Sequence, residues 1–321
     1  MTVLGGGTGS FSVLSGLVEI PHVHVRSIVS MMDSGGDSGR LRDEYGVLPP
    51  GDLRRCLVAL SRQSGLFREL FSYRFEAPPL DGRNFGNLLF LALSQILDSE
   101  KDACQAMKTI LKVRGDVHAV TWDHVHLHAR LADGTVLRGE SQIDVPEHDS
   151  RIPIDSVYLE PSARANEDAV ASIETGDLLV LAPGDLFTSS IPNLLVEGIP
   201  HALDRSGSPL VYIVNLMTKH GETDGYSAAA HVAQLVRYGR RIPDAVLVHD
   251  GDLPTDLAAK YQAEQAVRVR VDEHNLRDLG VRVIKRANLM SATSLVRHDP
   301  ARTAQALLEL YSELINAGWR R

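Results

Sequence analysis

Cysteine is scarce: two in 321 residues, Cys56 and Cys104, with no Cys-x-x-Cys spacing. That excludes a disulfide framework and a cysteine zinc site, and fits buried thiols in a reducing compartment. Aromatic side chains make up only 5% of the chain. Positive charge is also short. With 33 Lys and Arg against 41 Asp and Glu, the formal net charge is -8, the wrong sign for a protein that coats nucleic-acid phosphates. Apolar runs such as Leu88 to Leu93 and Leu178 to Ala182 stop far short of the roughly 18 residues that a membrane span needs. Met1-Thr2-Val3-Leu4 runs straight into a glycine cluster, with no basic region, apolar stretch and cleavage site ahead of it. The expectation is a cytoplasmic protein with neither nucleic acid nor membrane as partner.

What is present is ordinary globular composition, 44% hydrophobic and 23% charged, ordered as an α/β protein. Thr2 to Leu4 reads as a strand, and Val13, Leu14, Leu17 and Val18 recur with helical spacing after the glycines. Val25 to Met32 is β-branched and apolar, as a strand buried on both faces should be. Helical periodicity follows over Asp52–Ser61, Leu66–Tyr73, Asn87–Leu97 and Lys101–Leu111. Between Val117 and Leu159 the pattern alternates, with a hairpin signal at Asp133-Gly134. The βα rhythm resumes with helix Asn166–Ile173, strands Leu178–Ala182 and Leu210–Val214, helix Ser227–Tyr238 and strand Ala245–His249. A helix over Thr303–Asn316 closes the chain. The expectation is a Rossmann-like three-layer fold with a mainly parallel sheet, one domain over residues 1–321, and an antiparallel insertion at about 117–159.

Several loops at the carboxyl ends of these strands carry chemistry. Gly5-Gly6-Gly7-Thr8-Gly9-Ser10 turns the first strand into a helix whose free N–H groups and dipole attract anions. Its spacing fits neither the dinucleotide fingerprint nor a Walker loop, so NAD binding and NTP hydrolysis are disfavoured. The second loop, from Asp33 through Ser34, Gly35, Asp37 and Ser38 to Arg40 and Arg42, places carboxylates, hydroxyls and guanidiniums together. Asp33 can reach a ribose hydroxyl or a metal, and Arg40 and Arg42 are candidate phosphate clamps. Asp52, after Pro49-Pro50-Gly51, suits helix capping and metal binding equally. Pro183, Gly184, Thr188 and Ser189 leave another strand, with hydroxyl capping of the helix at Pro192-Asn193 as the alternative use. Asn215 and Thr218, then Glu222 and Thr223 in Gly221-Glu222-Thr223-Asp224-Gly225, join the same rim. His124, His126 and His128 alternate as metal ligands could, although a polar strand face explains them.

In order and spacing these loops resemble the YvcK family, also called gluconeogenesis factor, within the CofD-like superfamily of 2-phospho-L-lactate transferases. The resemblance covers nearly the whole chain. It is carried by Gly5-Gly6-Gly7-Thr8-Gly9, Ser38-Gly39-Arg40-Leu41-Arg42, Pro49-Pro50-Gly51-Asp52, Gly86-Asn87-Leu88, Pro183-Gly184, Thr188-Ser189, Pro192-Asn193-Leu194-Leu195 and Met217-Thr218 with Gly221 to Tyr226. It implies a nucleotide-sugar ligand, typically UDP-N-acetylglucosamine, in proteins linked to cell shape and growth on gluconeogenic carbon. Asn87 and Asn193 enter the expected ligand-binding set on this basis.

The transferase branch implies Mg²⁺ held by Asp33 and Asp52 against a nucleotide diphosphate, with those two acids in the catalytic role. The arginines and the Gly-Asn pair resemble the YvcK branch more, so neither flavin nor NAD is expected. A homo-oligomer and a regulatory protein partner are compatible with the family. The chain departs from the family pattern at Asp33-Ser34 (paired acids), Asp37 and Asp185 (serines), Arg83 (histidine) and Arg55 (asparagine). Asp37 and Asp185 would repel a diphosphate unless a metal lies between them.

Overall fold

The computed structural model describes residues 1–63, 65–292 and 295–319. The strands in chain order are β1 (Thr2–Gly5), β2 (Arg26–Val29), β3 (Asp116–Ala119), β4 (His126–Leu131), β5 (Val136–Arg138), β6 (Ile154–Glu160), β7 (Leu179–Leu181), β8 (Leu210–Ile213), β9 (Ala245–His249), β10 (Val283–Ala287), β11 (Met290–Ala292) and β12 (Val296–His298). Seven of them form one sheet in the order β10-β9-β8-β7-β1-β2-β3, and every pairing in it is parallel. Helices cover its faces. β1, β7, β8 and β9 are buried along their whole length, which is why they read as continuous apolar runs rather than alternations. No helix among the described residues is long and apolar enough to cross a membrane.

Caps set the helix boundaries. Asn166 accepts the N–H of Asp168 ahead of helix Glu167–Thr175, and Ser227 accepts that of Ala230 ahead of Ala228–Gly239. Asp299 accepts the N–H of Arg302, and Pro300 then opens the last helix, Pro300–Asn316, three residues before the periodic pattern begins. That helix packs beside Gly7–Leu17 on one face of the sheet.

Three sequence expectations change. The alternation from Val117 does not belong wholly to the insertion: β3 pairs in parallel with β2 as the edge of the large sheet. Periodicity reports which face is buried, not which strand is the neighbour. The antiparallel unit is the sheet β5-β4-β6, starting at His126. The stretch after Asp33 is a helix from Gly36 to Tyr45 rather than an open loop. β10 and the hairpin β11-β12 add strands that the periodicity did not reveal.

The order β3-β2-β1-β7-β8 reverses direction at β1. The chain leaves β1 toward β2 and β3, then returns to lay β7 on the other side of β1. The loops after β1 and β7 therefore diverge, and the gap between them is where an open α/β sheet binds its ligand.

Candidate functional site at the switch point

Two joined chambers occupy that gap, of about 740 Å³ and about 570 Å³. Thr8, Gly9 and Gly184 line both. Gly7 takes a left-handed φ of 66°, so that β1 can turn at once into helix Gly7–Leu17. A β-carbon on Gly9 would overlap the carbonyl oxygen of Pro183, so this glycine lets the two diverging loops touch. The N-cap residue, Gly6, has no side chain to accept the first-turn N–H groups. Asp52 takes the Gly7 N–H, and the donors after it are left for an anion in the first chamber.

Seven carboxyl groups line the first chamber, Asp33, Asp37, Asp52, Glu140, Asp144, Glu147 and Asp185, and the charge of Asp33 bears on both Asp52 and Glu140. Gly35 N donates to Asp33 Oδ1 at 2.9 Å, and Ser34 N donates to Glu140 Oε2 at 3.2 Å. Burial, and then the charge of Asp33, push Asp52 above the ordinary carboxylate range, against the opposing pull of Arg55 and the Gly7 N–H. The same two causes push Glu140 up to about 8. Carboxyl groups whose burial and mutual repulsion are only partly offset by Arg54, Arg55 and Lys219 are suited to a hard divalent cation.

Three guanidiniums line the same chamber: Arg54, Arg55 and Arg74. Arg54 Nε donates to Asn87 Oδ1 at 2.9 Å and its Nη1 to the Phe71 carbonyl at 3.0 Å. Burial, reinforced by Arg55 and Arg74, lowers Arg54 to about 10. Arg55 Nη1 is 3.1 Å from Asp52 Oδ1, and Arg74 donates to the Gly82 carbonyl. Cations close enough to disfavour one another's charge make a wall suited to phosphate oxygens.

The structure brings most of the expected residues to this cleft. Gly7, Thr8, Gly9, Asp33, Gly35, Ser38, Asp52, Asn87, Gly184, Thr188 and Ser189 line the first chamber. Pro183, Asn215 and Thr218 line the second. Asn215 Nδ2 donates to the Gly184 carbonyl at 2.7 Å, fixing the loop after β7. Gly5 and Gly6 are absent from the lining, with Gly6 against the Asp52 carboxylate. Ser34 is spent on the insertion, where its Oγ accepts Ser141 N at 3.0 Å.

Arg40 and Arg42 line neither chamber and are corrected as phosphate clamps. They lie on helix Gly36–Tyr45, where positions two apart point in nearly opposite directions. Arg40 Nη2 donates to the Asp81 carbonyl at 3.2 Å, and Arg42 is buried on the Val125 carbonyl.

Other side chains of the expected set act behind the surface. Asn193 is buried and its amide donates to the Ser189 carbonyl at 2.9 Å; no hydroxyl caps its helix. Glu222 accepts Phe187 N at 3.1 Å and the Thr188 hydroxyl at 3.3 Å, and Thr223 Oγ1 accepts Lys219 N at 2.8 Å. Among the three histidines, His126 is exposed while His128 is buried and stacks on Tyr158. The triplet of metal-capable groups that does converge among the described residues is Asp144, Asp185 and Glu222.

Both acids that depart from the family pattern are neutralised from within. Asp37 Oδ2 accepts Asn84 N at 2.9 Å and Asn87 Nδ2 at 2.8 Å, and Arg83 lies 3.4 Å from its other oxygen. Asp185 Oδ2 is 2.8 Å from Lys219 Nζ. The cation facing Asp185 is thus a lysine of the chain itself.

Arg54, Arg74, Lys219 and the segment around Glu140 were not singled out from the sequence, and Arg55 was noted only as a departure from the family pattern. Arg54 and Arg55 stand two and three residues after Asp52 near the start of a helix, which was a usable signal. Glu140 and Asp144 had none, because they reach the cleft through the folding of the insertion over it.

Residues 1–289 match the family described as 2-phospho-L-lactate transferase CofD. A putative gluconeogenesis factor of Thermoanaerobacterium thermosulfurigenes is 38% identical over 311 residues, 97% of this chain and 96% of its own length. The gluconeogenesis factor of Bacillus subtilis is 38% identical over 98% of both chains. A crystal structure of a UPF0052-family protein from Bacillus halodurans superposes with a TM-score of 0.90 at 38% identity, covering 96% of this chain and 99% of that one. Matched in sequence and in fold over nearly its whole length, this chain belongs to the CofD-like family, in the branch of the gluconeogenesis factors (YvcK).

Proposed function

We propose that the chain binds a nucleotide sugar of the UDP-N-acetylglucosamine type in the switch-point cleft and acts, without turnover, as a regulator of cell shape and gluconeogenic carbon metabolism. The observation that carries this reading is the uncapped first turn of helix Gly7–Leu17 facing a chamber also lined by Arg54, Arg55 and Arg74. Backbone donors and guanidinium forks together suit a diphosphate. The second chamber, with Asn215 and Thr218 beside Leu216, Met217 and Tyr261, offers polar groups on an apolar floor for a base or sugar. Titration calorimetry with UDP-N-acetylglucosamine, UDP and GDP, each with and without Mg²⁺, tests it. The expected outcome is saturable heat with no product; no heat under any condition rejects the reading.

A second reading rests on Asp33 and Asp52, which line the first chamber together and of which Asp33 disfavours the charge of Asp52. In it the chain is a transferase acting on a nucleotide-diphosphate donor, with Asp33 and Asp52 holding Mg²⁺, which would supply charge neutralisation at the leaving phosphate. Arg54, Arg55 and Arg74 would orient the donor, and the Thr8 and Gly9 N–H groups would take its diphosphate. Chromatography of the nucleotides after incubation with Mg²⁺ separates the two readings. If no donor is consumed and Asp33→Asn and Asp52→Asn leave metal-dependent binding intact, the transferase is excluded.

A further inference from the structure

One ammonium group joins three separate stretches of chain at the mouth of the cleft. Lys219 Nζ forms an ion pair with Asp144, at the end of the insertion helix Glu140–Asp144. It lies 2.8 Å from Asp185 Oδ2, in the loop after β7, and 3.2 Å from Glu222 Oε1, in its own turn. Asp144 and Asp185 line both chambers. Glu222 is fully buried and also accepts Phe187 N and the Thr188 hydroxyl. The lysine therefore connects the insertion to the loop that carries the ligand-facing Thr188.

Burial alone would lower the pKa of Lys219, but Glu222 and Asp185 outweigh it and hold the ammonium charged. Elsewhere the insertion segment is fastened by Ser34, through Ser141 and Glu140, and rests where Pro146 packs on Gly221. Val145 between these points is 64% exposed. Ile143 anchors the helix in the core, whereas the stretch after it, Asp144–Pro146, has no buried large apolar side chain, so the position of that end depends on polar ties, the class of contact that opens at low cost.

We propose that Lys219 is a positioning residue that fastens the exposed end of the insertion segment, Asp144–Pro146, over the cleft, so that loss of the Lys219–Asp144 tie lets this end open and bound nucleotide leave faster. The proposal rests on the ligand-binding reading for its second half only. Its first half is a property of the free protein.

Hydrogen exchange followed by mass spectrometry on the full chain, without ligand, compares wild type with Asp144→Asn, Lys219→Met and Lys219→Arg. Exchange across residues 140–147 is expected to rise about fivefold in Asp144→Asn and Lys219→Met, the order expected for one partly exposed ion pair. In β8 and β9 it is expected to stay at the wild-type rate, and Lys219→Arg restores protection. With UDP-N-acetylglucosamine as probe, the same two variants should raise the dissociation rate about fivefold and leave association nearly unchanged.

Unchanged exchange across 140–147 in Asp144→Asn overturns the proposal, as does a rise shared equally by β8 and β9. Should Lys219→Met fail to fold, Asp144→Asn decides alone. A wild type that binds no UDP-N-acetylglucosamine defeats the ligand reading and leaves the exchange result to decide the tie.

Discussion

Arg55 Nη1 lies 3.1 Å from Asp52 Oδ1, so a half-exposed guanidinium bridges a buried carboxyl group and the open first chamber. One helix, Gly51–Ala59, thereby supplies both a candidate metal ligand and a candidate phosphate clamp. Arg55→Ala is expected to weaken UDP-N-acetylglucosamine binding about tenfold, as the loss of one charge-assisted hydrogen bond would. Arg40→Ala should leave affinity at the wild-type value, because Arg40 lies outside the cavity. Calorimetry on the two variants checks both; equal losses would reinstate Arg40 as a clamp.

Glu140 gives the cleft a pH dependence whose sign follows from its raised pKa. The folded chain holds this proton up to about 8, against an ordinary value of 4.5, so the folded state binds more protons across that window. The associated stability is complete below about pH 4.5 and is lost as the pH rises through about 8. In EDTA, Glu140→Gln should therefore be more stable than wild type at pH 8, by on the order of 1 kcal/mol, and similar to it at pH 5. Thermal melts at pH 5, 6, 7 and 8 measure the gap. A gap that narrows with rising pH contradicts the assignment.

Asp52 carries the corresponding expectation for metal. Its charge is disfavoured by burial and by Asp33, so Asp52→Asn should raise the Tm of the metal-free protein at pH 8. Millimolar Mg²⁺ should raise the Tm of wild type by a few degrees through binding to the native state, and do little for Asp52→Asn. Scanning calorimetry with Mg²⁺ or EDTA reads both effects.

Two glycines of the first turn should fail for different reasons. Gly9→Ala places a methyl group on the Pro183 carbonyl, and forcing the loops apart should cost about 1–3 kcal/mol with or without ligand. Gly7→Ala has room, with Ser189 Oγ as the nearest neighbour at 3.5 Å, and pays about 1 kcal/mol for a left-handed alanine. Denaturant midpoints of the free variants distinguish them. The order Gly9→Ala below Gly7→Ala is the expected result.

Much of the fold was legible because its signals are local. β1, β8 and β9 announced themselves as short apolar runs, and Asn166 and Ser227 stand one residue before helices whose boundaries they set. The short strands β11 and β12 and the edge strand β10 gave no comparable signal. β10 is only half-buried, so its sequence carries polar residues that periodicity cannot separate from a loop. The helix at Gly36–Tyr45 was hidden because its glycines and charges resemble a loop, and its buried face is set by Asn84, Asn87 and Val125 from elsewhere in the chain.

The sequence by itself determined the alternation of strands and helices, the glycine turn after β1, and the polar loops that follow several strands, since each depends on neighbours within a few residues. The tertiary structure alone decided which charges meet. It turned Arg42 into the interior, brought Arg54, Arg55 and Arg74 to one chamber, and carried Asp144 from the insertion to Lys219. Side-chain direction on a helix and contact between distant segments depend on how the layers pack, and packing is a property of the whole chain rather than of any window within it.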